Sequence, residues 1–434
     1  MFQVNATSWV RQLKEAVRPY YLRWIYFWLW PARRPVSFSD CWRYPFEKIL
    51  GESARLPAAG SALPDLLFYP MTDWHARTQR TQQLVRALAA LGYRCVYINP
   101  HLGREFETTT LSDRPHRLSR LEDNIFELHI RLPREPVFHD RLLLPDEEDI
   151  IVSVIRRILP PGPSAIQIVS FPLWLGVARR FRQEAGFPVV YDCHDLLSGF
   201  KNIAPEIVAA ETAQFRESDL VLFSSQGLLD KYRDQSSGKC LLVRNAVTAM
   251  QFKEVLASEP FVVGYLGALD SWFDVDAVQQ AAALNPQCRF VLAGHIEFDP
   301  IKRLRSIPNV ELIGEISYSR VPDLLARFRV ALIPFRVSPL TVMTNPIKLY
   351  EYFSCGLPVV TSPLPEAQAM GDLVYVAGTP ADFGLQVKCA LEEDDPARRD
   401  QRRKIALRES WTSRARNLSA EFDALLTASK RPLR

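Results

Sequence analysis

Residues 344–360 read Thr-Asn-Pro-Ile-Lys-Leu-Tyr-Glu-Tyr-Phe-Ser-Cys-Gly-Leu-Pro-Val-Val, a complete helix-to-strand unit. Pro346 suits the first helical position, where its missing amide would lack a partner anyway, and Thr344 or Asn345 suits the cap. Gly356 is a stop signal, and the apolar residues after it read as a buried strand. The unpaired amides of such a helix start, aided by the helix dipole, form an anion site. Lys348 in the first turn adds a full positive charge. Glu351 follows three residues later on the same side of the helix. A diphosphate at the helix tip, with a carboxylate one turn deeper for ribose hydroxyls, accounts for this pair. A capped surface helix with an ion pair accounts for it equally in isolation.

The same alternation extends in both directions. Strand-like runs at 261–266, 289–293, 310–313, 330–334 and 357–361 form one series. An earlier series runs through 66–69, 95–99, 125–132, 165–170, 189–192, 220–224 and 240–243. Helical patterns separate the runs; one spans 78–91, with Leu84, Leu88 and Leu91 at helical spacing and Gly92 as its stop. Short apolar strands alternating with helices predict an α/β protein with parallel sheets covered on both faces. Two such series predict two doubly wound domains, at 61–250 and 260–410, facing a central cleft. Ligands in such sheets sit at the carboxyl ends of strands, so function belongs in that cleft.

Composition excludes several classes. The 434 residues are 47% hydrophobic and 24% charged, an ordinary globular profile that is neither disordered nor low in complexity. Lys and Arg number 53 against 49 Asp and Glu, and a net charge of +4 gives no nucleic-acid footprint. The seven cysteines are scattered without a C-x-x-C pair, which argues against a disulfide framework or a zinc thiolate site and for a reducing compartment. No apolar run is long enough to span a bilayer. The first 60 residues are distinct: five of the nine tryptophans fall at positions 9, 24, 28, 30 and 42, with Lys14, Arg18, Arg23, Arg33, Arg34, Arg43 and Lys48 interleaved. Trp9, Leu13, Val17, Tyr20 and Trp24 recur at helical spacing, predicting an N-terminal amphipathic helical extension suited to an anionic membrane surface. Packing on its own domain or a partner is the alternative. Charge within the apolar run and the lack of a small-residue cleavage site argue against a signal peptide. The expected place is the cytoplasm, peripherally on the inner face of the membrane.

The 344–360 segment resembles the nucleotide-sugar-binding helix of GT-B glycosyltransferases of the family 4 type (glycosyl transferases group 1), in the branch carrying "T-N-P-x-K-L-Y-E-Y". Other segments agree in order. Asp73-Trp74-His75-Ala76-Arg77-Thr78-Gln79-Arg80-Thr81-Gln82-Gln83-Leu84 is similar to the family's "D-W-x-x-R-x-Q-R-x-Q-x-L". Val190-Tyr191-Asp192-Cys193-His194-Asp195, followed by Phe200, resembles "V-Y-D-x-x-D…F". The stretch from Gly264 to Asp274 resembles the opening strand and loop of the C-terminal domain. Residues 411–434, with Trp411, resemble the helix that crosses back to the first domain. The resemblance covers roughly residues 65–427 and implies two Rossmann-like domains. The first would bind the acceptor and the second the nucleotide sugar. One position departs: where many members carry Glu-x7-Glu, Glu351 is the second member but Met343 replaces the first. The second Glu is the family's ribose ligand. The first contacts the donor sugar, so donor identity and the retaining or inverting outcome stay open.

The implied activity is a hexosyltransferase-type transfer from a nucleotide diphosphate sugar to a glycan or lipid-linked hydroxyl in cell-surface or exopolysaccharide assembly. No cofactor and no metal are expected. Lys348, the amides around Thr344, Asn345 and Ile347, and the loop at Gly267 are assigned to the diphosphate, with Arg336 as a second cation or a solvated loop residue. Asp270 and Trp272 would lie near the donor sugar, unless Asp270 or Asp274 caps a helix. Asp195 is the first choice for the base that takes the acceptor's proton, with His194 beside it and Asp192 structural. Trp74, Arg77 and Arg80 would hold an acceptor's phosphate or sugar, or the two arginines would pair with acids of the protein. His75 is an outside candidate for acceptor contact. A nucleotide-sugar epimerase of the same architecture and a non-catalytic scaffold are the rival readings.

Overall fold

The computed structural model describes residues 51–57, 62–75, 77–99, 115–132, 139–160, 164–248, 261–296 and 298–429. The amphipathic extension expected before residue 51 lies outside them. Among the described residues no helix is long and apolar enough to cross a membrane.

The first domain is built on β1 (Gly51–Ser53), β2 (Asp65–Tyr69), β3 (Cys95–Ile98), β4 (His116–Glu122), β5 (Ile125–Ile130), β6 (Ala165–Val169), β7 (Val189–Cys193), β8 (Leu220–Phe223) and β9 (Lys239–Leu242). They lie in the order β1-β4-β5-β3-β2-β6-β7-β8-β9. From β5 to β9 the pairing is parallel, as the sequence predicts. Both faces are buried: Leu67, Tyr69, Val96 and Ile98 join one apolar layer, while Leu66, Phe68, Cys95 and Tyr97 join the other. That is the period of two expected when helices cover both sides of a sheet.

Two expectations are corrected at the other edge. β4 and β1 pair antiparallel, so the sheet is mixed. β4 has the sequence His-Arg-Leu-Ser-Arg-Leu-Glu and carries no continuous apolar run for a sequence reading to find. It folds back onto β5 through Asp123 and Asn124, with Asn124 at φ 59°, a conformation Asn tolerates in tight hairpins. The domain also begins by residue 51 rather than 61, since β1 is its edge strand and Leu56 is buried in its core.

The second domain is a parallel sheet of β10 (Val262–Leu266), β11 (Arg289–Ala293), β12 (Val310–Gly314), β13 (Phe328–Ile333), β14 (Val359–Thr361) and β15 (Val374–Val376), in the order β12-β11-β10-β13-β14-β15. β10 lies at the centre, so the loops after β10, β11 and β12 open side by side. Three helices matter most to the site: α1 (Arg80–Ala90), α2 (Ile347–Ser354) and α3 (Trp411–Ser429). α3 returns to the first domain, where Trp411, Ala415, Leu418 and Phe422 complete the apolar layer over β2 and β3. Tyr93 secures it, with its hydroxyl 2.7 Å from Ser419 Oγ and its ring edge-on to Phe422.

Candidate active site

A cavity of about 980 Å³ lies between the domains, lined from the first by the 71–80 loop, His194 and Asp195, and from the second by the loops after β10, β11 and β12 and the start of α2. On the donor side two glycines form the floor. Gly267 (φ 140°) and Gly294 (φ 152°) adopt backbone conformations that side chains strain to reach. A Cβ at Gly294 would stand 1.7 Å from the Gly267 carbonyl oxygen, and one at Gly267 would stand 2.6 Å from Lys348 Nζ. Only glycine lets these strand ends and the lysine pack together.

α2 starts one residue later than the sequence suggests. Pro346 is the cap residue, extended at φ −71° and ψ 116°, and no side chain caps the helix. Thr344 Oγ1 instead donates to the Leu340 carbonyl (3.0 Å). The Asn345 side chain donates to Tyr350 and Glu366 rather than capping the helix. The leading amides of α2 are therefore left to a ligand or water. Pro346, Ile347, Lys348 and Glu351 all line the cavity. Lys348 Nζ donates to Tyr265 Oη (3.1 Å) and sits 4.4 and 4.6 Å from the ring centres of Tyr265 and Phe335. Burial pushes its ammonium down to about 7; Glu351 opposes that shift and the charge of Arg77 adds to it. Glu351 is buried, and Tyr318 Oη donates to its Oε1 (3.1 Å). Burial lifts its carboxyl to about 7, against the pull of Tyr318 and Lys348. Two groups of opposite charge type are thus poised between protonation states on one helical turn.

The acceptor side is organised by a polar chain that runs between the domains. Arg80 Nε donates to both oxygens of Asp192 (2.9 and 3.0 Å) and Nη1 donates to Asn245 Oδ1 (3.1 Å). Asn245 in turn bonds the Asn345 side chain and carbonyl (2.9 and 2.6 Å), and Asn345 donates to Tyr350 and Glu366. Arg80 is therefore corrected from an acceptor ligand to a structural ion pair with Asp192. The Asn345 side chain and carbonyl form an inter-domain link, while the residue still lines the cavity beside the start of α2. His194 Nδ1 donates to the Asp192 carbonyl (3.0 Å), so Nε2 is left as the acceptor nitrogen of the neutral ring, 3.8 Å from Asp195 Oδ2. Burial raises the Asp195 carboxyl above the usual range, with His194 and Arg80 pulling against it. Both residues line the cavity, as does Trp74, which packs on Tyr97 beneath the Arg86 guanidinium.

The 73–80 motif is a fastened loop. Asp73 Oδ1 accepts from the His75 amide (2.6 Å), and Asn99 bridges Asp73 to Glu127. His75 Nε2 lies 3.0 Å from Glu127 Oε2. Gln82 Nε2 donates to the carbonyls of Asp73 (3.1 Å) and Arg77 (2.9 Å). Asp73, His75 and Glu127 lie within cation-binding distance of one another, and the His75 ring, the His75 amide and Asn99 already bond the two carboxylates.

Two donor-side expectations are corrected. Asp270 Oδ1 accepts from the Ser271 amide in its own turn, and it is not among the residues lining the cavity. Arg336 is exposed, lies over the Phe298 ring and is also absent from that lining. Trp272 does line the cavity and meets Phe200 of the first domain edge-on, with ring centres 6.4 Å apart. Met343 is not among the lining residues either. Its carbonyl accepts from Ser225 Oγ (2.5 Å), and its sulfur would lie 2.7 Å from a Cβ at Gly227, so it packs against the first domain. Tyr265, Tyr318, Phe335 and Glu315 escaped the sequence reading. Nothing local marks them, because each meets the site only through the fold.

Comparison with known proteins agrees with this architecture. Residues 78–246 match the family model described as glycosyl transferase 4-like domain, and 260–393 match the one described as glycosyl transferases group 1. The Bacillus subtilis protein TuaH, assigned as a teichuronic acid biosynthesis glycosyltransferase, is 28% identical over 255 residues, covering 51% of this chain and 64% of TuaH. The chain thus spans less than two thirds of that relative's length. Anabaena HepE, solved with UDP and glucose, superposes with a TM-score of 0.59 at 17% identity, covering 83% of this chain and all of HepE. A trehalose-phosphate synthase from Burkholderia vietnamiensis gives 0.60 at 13%, over 86% of this chain and all of that one. Two matched domain models in order, on two facing α/β domains that share the GT-B fold, place the chain in the group 1 glycosyltransferase family.

Proposed function

We propose that the protein transfers a hexosyl unit from a nucleoside diphosphate sugar to a hydroxyl of a glycan or lipid-linked acceptor in cell-surface polysaccharide synthesis. The observation that carries this reading is the pairing of Lys348 and Glu351 on the first turns of α2, facing the cleft over the Gly267 and Gly294 floor. An ammonium group and unpaired helix amides suit a developing diphosphate, and a buried carboxylate one turn deeper suits ribose hydroxyls. Across the cleft, Asp195 and His194 Nε2 are the groups that take the acceptor's proton. The reading involves no metal. HepE, a similar fold, was solved with UDP and with UDP-glucose, which supports a donor of this class.

A thermal-shift panel of UDP, GDP, ADP, CMP, dTDP and their sugars tests the donor. One nucleotide is expected to raise the melting temperature saturably, Glu351→Ala to remove that shift and Lys348→Ala to weaken it. No shift from any nucleotide on folded protein would overturn the transferase reading and leave a scaffold. Acceptor-free isomerisation of the donor would favour an epimerase.

The aromatic and basic residues between Trp9 and Lys48 support action at an anionic membrane surface. The full chain is expected to co-sediment with phosphatidylglycerol vesicles, and a version beginning at residue 51 to stay in the supernatant. Equal partitioning of the two would remove the membrane from the proposal.

A further inference from the structure

We propose that Arg77 is the second diphosphate-binding cation, reaching from the first domain to a ligand held by the second, and that the diphosphate replaces Glu315 as its partner. The inference rests on the donor reading above. A nucleoside diphosphate sugar carries more than one negative charge, and more develops as its nucleoside diphosphate leaves. The loop after β10, Gly-Ala-Leu-Asp-Ser-Trp-Phe-Asp from Gly267 to Asp274, contains no lysine or arginine. Among the described residues lining the cleft, the lysines and arginines are Arg77, Arg80, Arg86 and Lys348. Arg80 is consumed by Asp192 and Asn245 in the interior. Arg86 pairs with Glu122 (2.8 Å) of its own domain, above the Trp74 ring. Arg77 is the one that reaches across to the second domain, where Lys348 stands.

Its placement fits. Arg77 Nε donates across the cleft to Glu315 Oε1 (3.1 Å), the acid that directly follows β12. With strands ordered β12-β11-β10, Glu315, Gly294 and Gly267 stand at three neighbouring strand ends. The Gly294 amide donates to the Gly314 carbonyl (2.8 Å) and the Gly267 amide to that of Ala293 (2.9 Å), which ties the loops together. Lys348 Nζ rests against Gly267. The two cations therefore approach one row of strand ends from opposite domains, separated by two strand spacings, roughly 10 Å. A diphosphate and a turned guanidinium cover that gap.

The Arg77 backbone is fixed, and its side chain reaches into the cleft. Gln82 fixes the Arg77 carbonyl (2.9 Å), whereas the Arg77 side chain is 34% exposed, against 2% for Arg80. His295 Nδ1 lies 4.0 Å from the other Glu315 oxygen and is placed to receive that carboxylate when Arg77 leaves. A guanidinium presents paired donors that match phosphate oxygens, so the exchange replaces a half-exposed ion pair by a charge-assisted fork. An ion pair between the domains thus becomes a bridge through the ligand.

Isothermal titration of UDP, GDP, ADP and dTDP, each beside its monophosphate, tests the inference on wild type, Arg77→Gln and Glu315→Gln. For the diphosphate that wild type binds, Arg77→Gln is expected to weaken binding about tenfold or more, and to change monophosphate binding by less than about threefold. Glu315→Gln, which removes the competing anion, is expected to bind that diphosphate as well as or better than wild type. Binding by wild type with no loss in Arg77→Gln, or with equal loss for mono- and diphosphate, would overturn the role of Arg77 and leave the donor reading standing. No diphosphate binding by wild type would overturn both.

Discussion

Arg80→Met is expected to destabilise the first domain by about 3–5 kcal/mol, the range found when one member of a buried ion pair is removed. Arg80 and Asp192 are 2% and 1% exposed, and the guanidinium holds both carboxylate oxygens. Methionine keeps most of the apolar stem, so the change isolates the charge. It leaves Asp192 buried without its cation and takes a donor from Asn245, and with it support for the Asn345 link to the second domain. Urea unfolding followed by a probe of the first domain measures the effect, since two domains need not unfold as one unit. Arg80→Met combined with Asp192→Leu is expected to recover a large part of the loss, because the pair's cost lies in the unpaired partner rather than in its absence. A loss below about 1 kcal/mol, the range of an exposed ion pair, would contradict the assignment.

The second large effect concerns catalysis and its pH dependence. Lys348→Ala is expected to lower kcat/KM by about 10²–10³-fold for the donor selected by the panel, as when one group stabilising transition-state charge is deleted. The form that binds donor carries a charged Lys348 and an ionised Glu351, and the two groups titrate near about 7 from opposite directions. Below that pH, Glu351 gains a proton and stops accepting from hydroxyls. Above it, Lys348 loses its proton and its charge. Donor affinity in wild type is therefore expected to peak near neutrality and to fall on both sides. The two limbs belong to the coupled pair rather than to either residue. Lys348→Ala is expected to abolish the alkaline limb, and Glu351→Gln the acid limb. An affinity profile in wild type that is flat from about pH 5.5 to 8.5 would contradict this account.

What was legible in the sequence follows from the range of the forces involved. The strands β2, β3, β6, β7, β8, β10, β11 and β13 announce themselves as short apolar runs because both their faces are buried. α1 is marked by its leucines and by Gly92. β4 and β1 are less visible, since β4 sets Arg117, Ser119 and Arg120 among its leucines and β1, the edge strand, is exposed throughout. Lys348 and Glu351 could be paired from the sequence alone because three residues along a helix bring side chains together whatever the rest of the chain does.

Partners distant in sequence could not be read this way. The motif containing Trp74, Arg77 and Arg80 could be recognised, but not divided into roles. The fold turns Arg80 inward to Asp192, 112 residues away, and Arg77 outward to Glu315, 238 residues away. Asp270 and Arg336 looked like site residues because they follow strands of the donor domain, yet Asp270 bonds within its own turn and Arg336 lies over the Phe298 ring. By itself the sequence determined most of the strands, the two-domain order and the α2 pair, since these depend on propensity, periodicity and spacing along the chain. Only the tertiary structure decided which charged groups face the cleft and which neutralise one another. Burial and long-range pairing are properties of the packed chain, and one side-chain type carries either role.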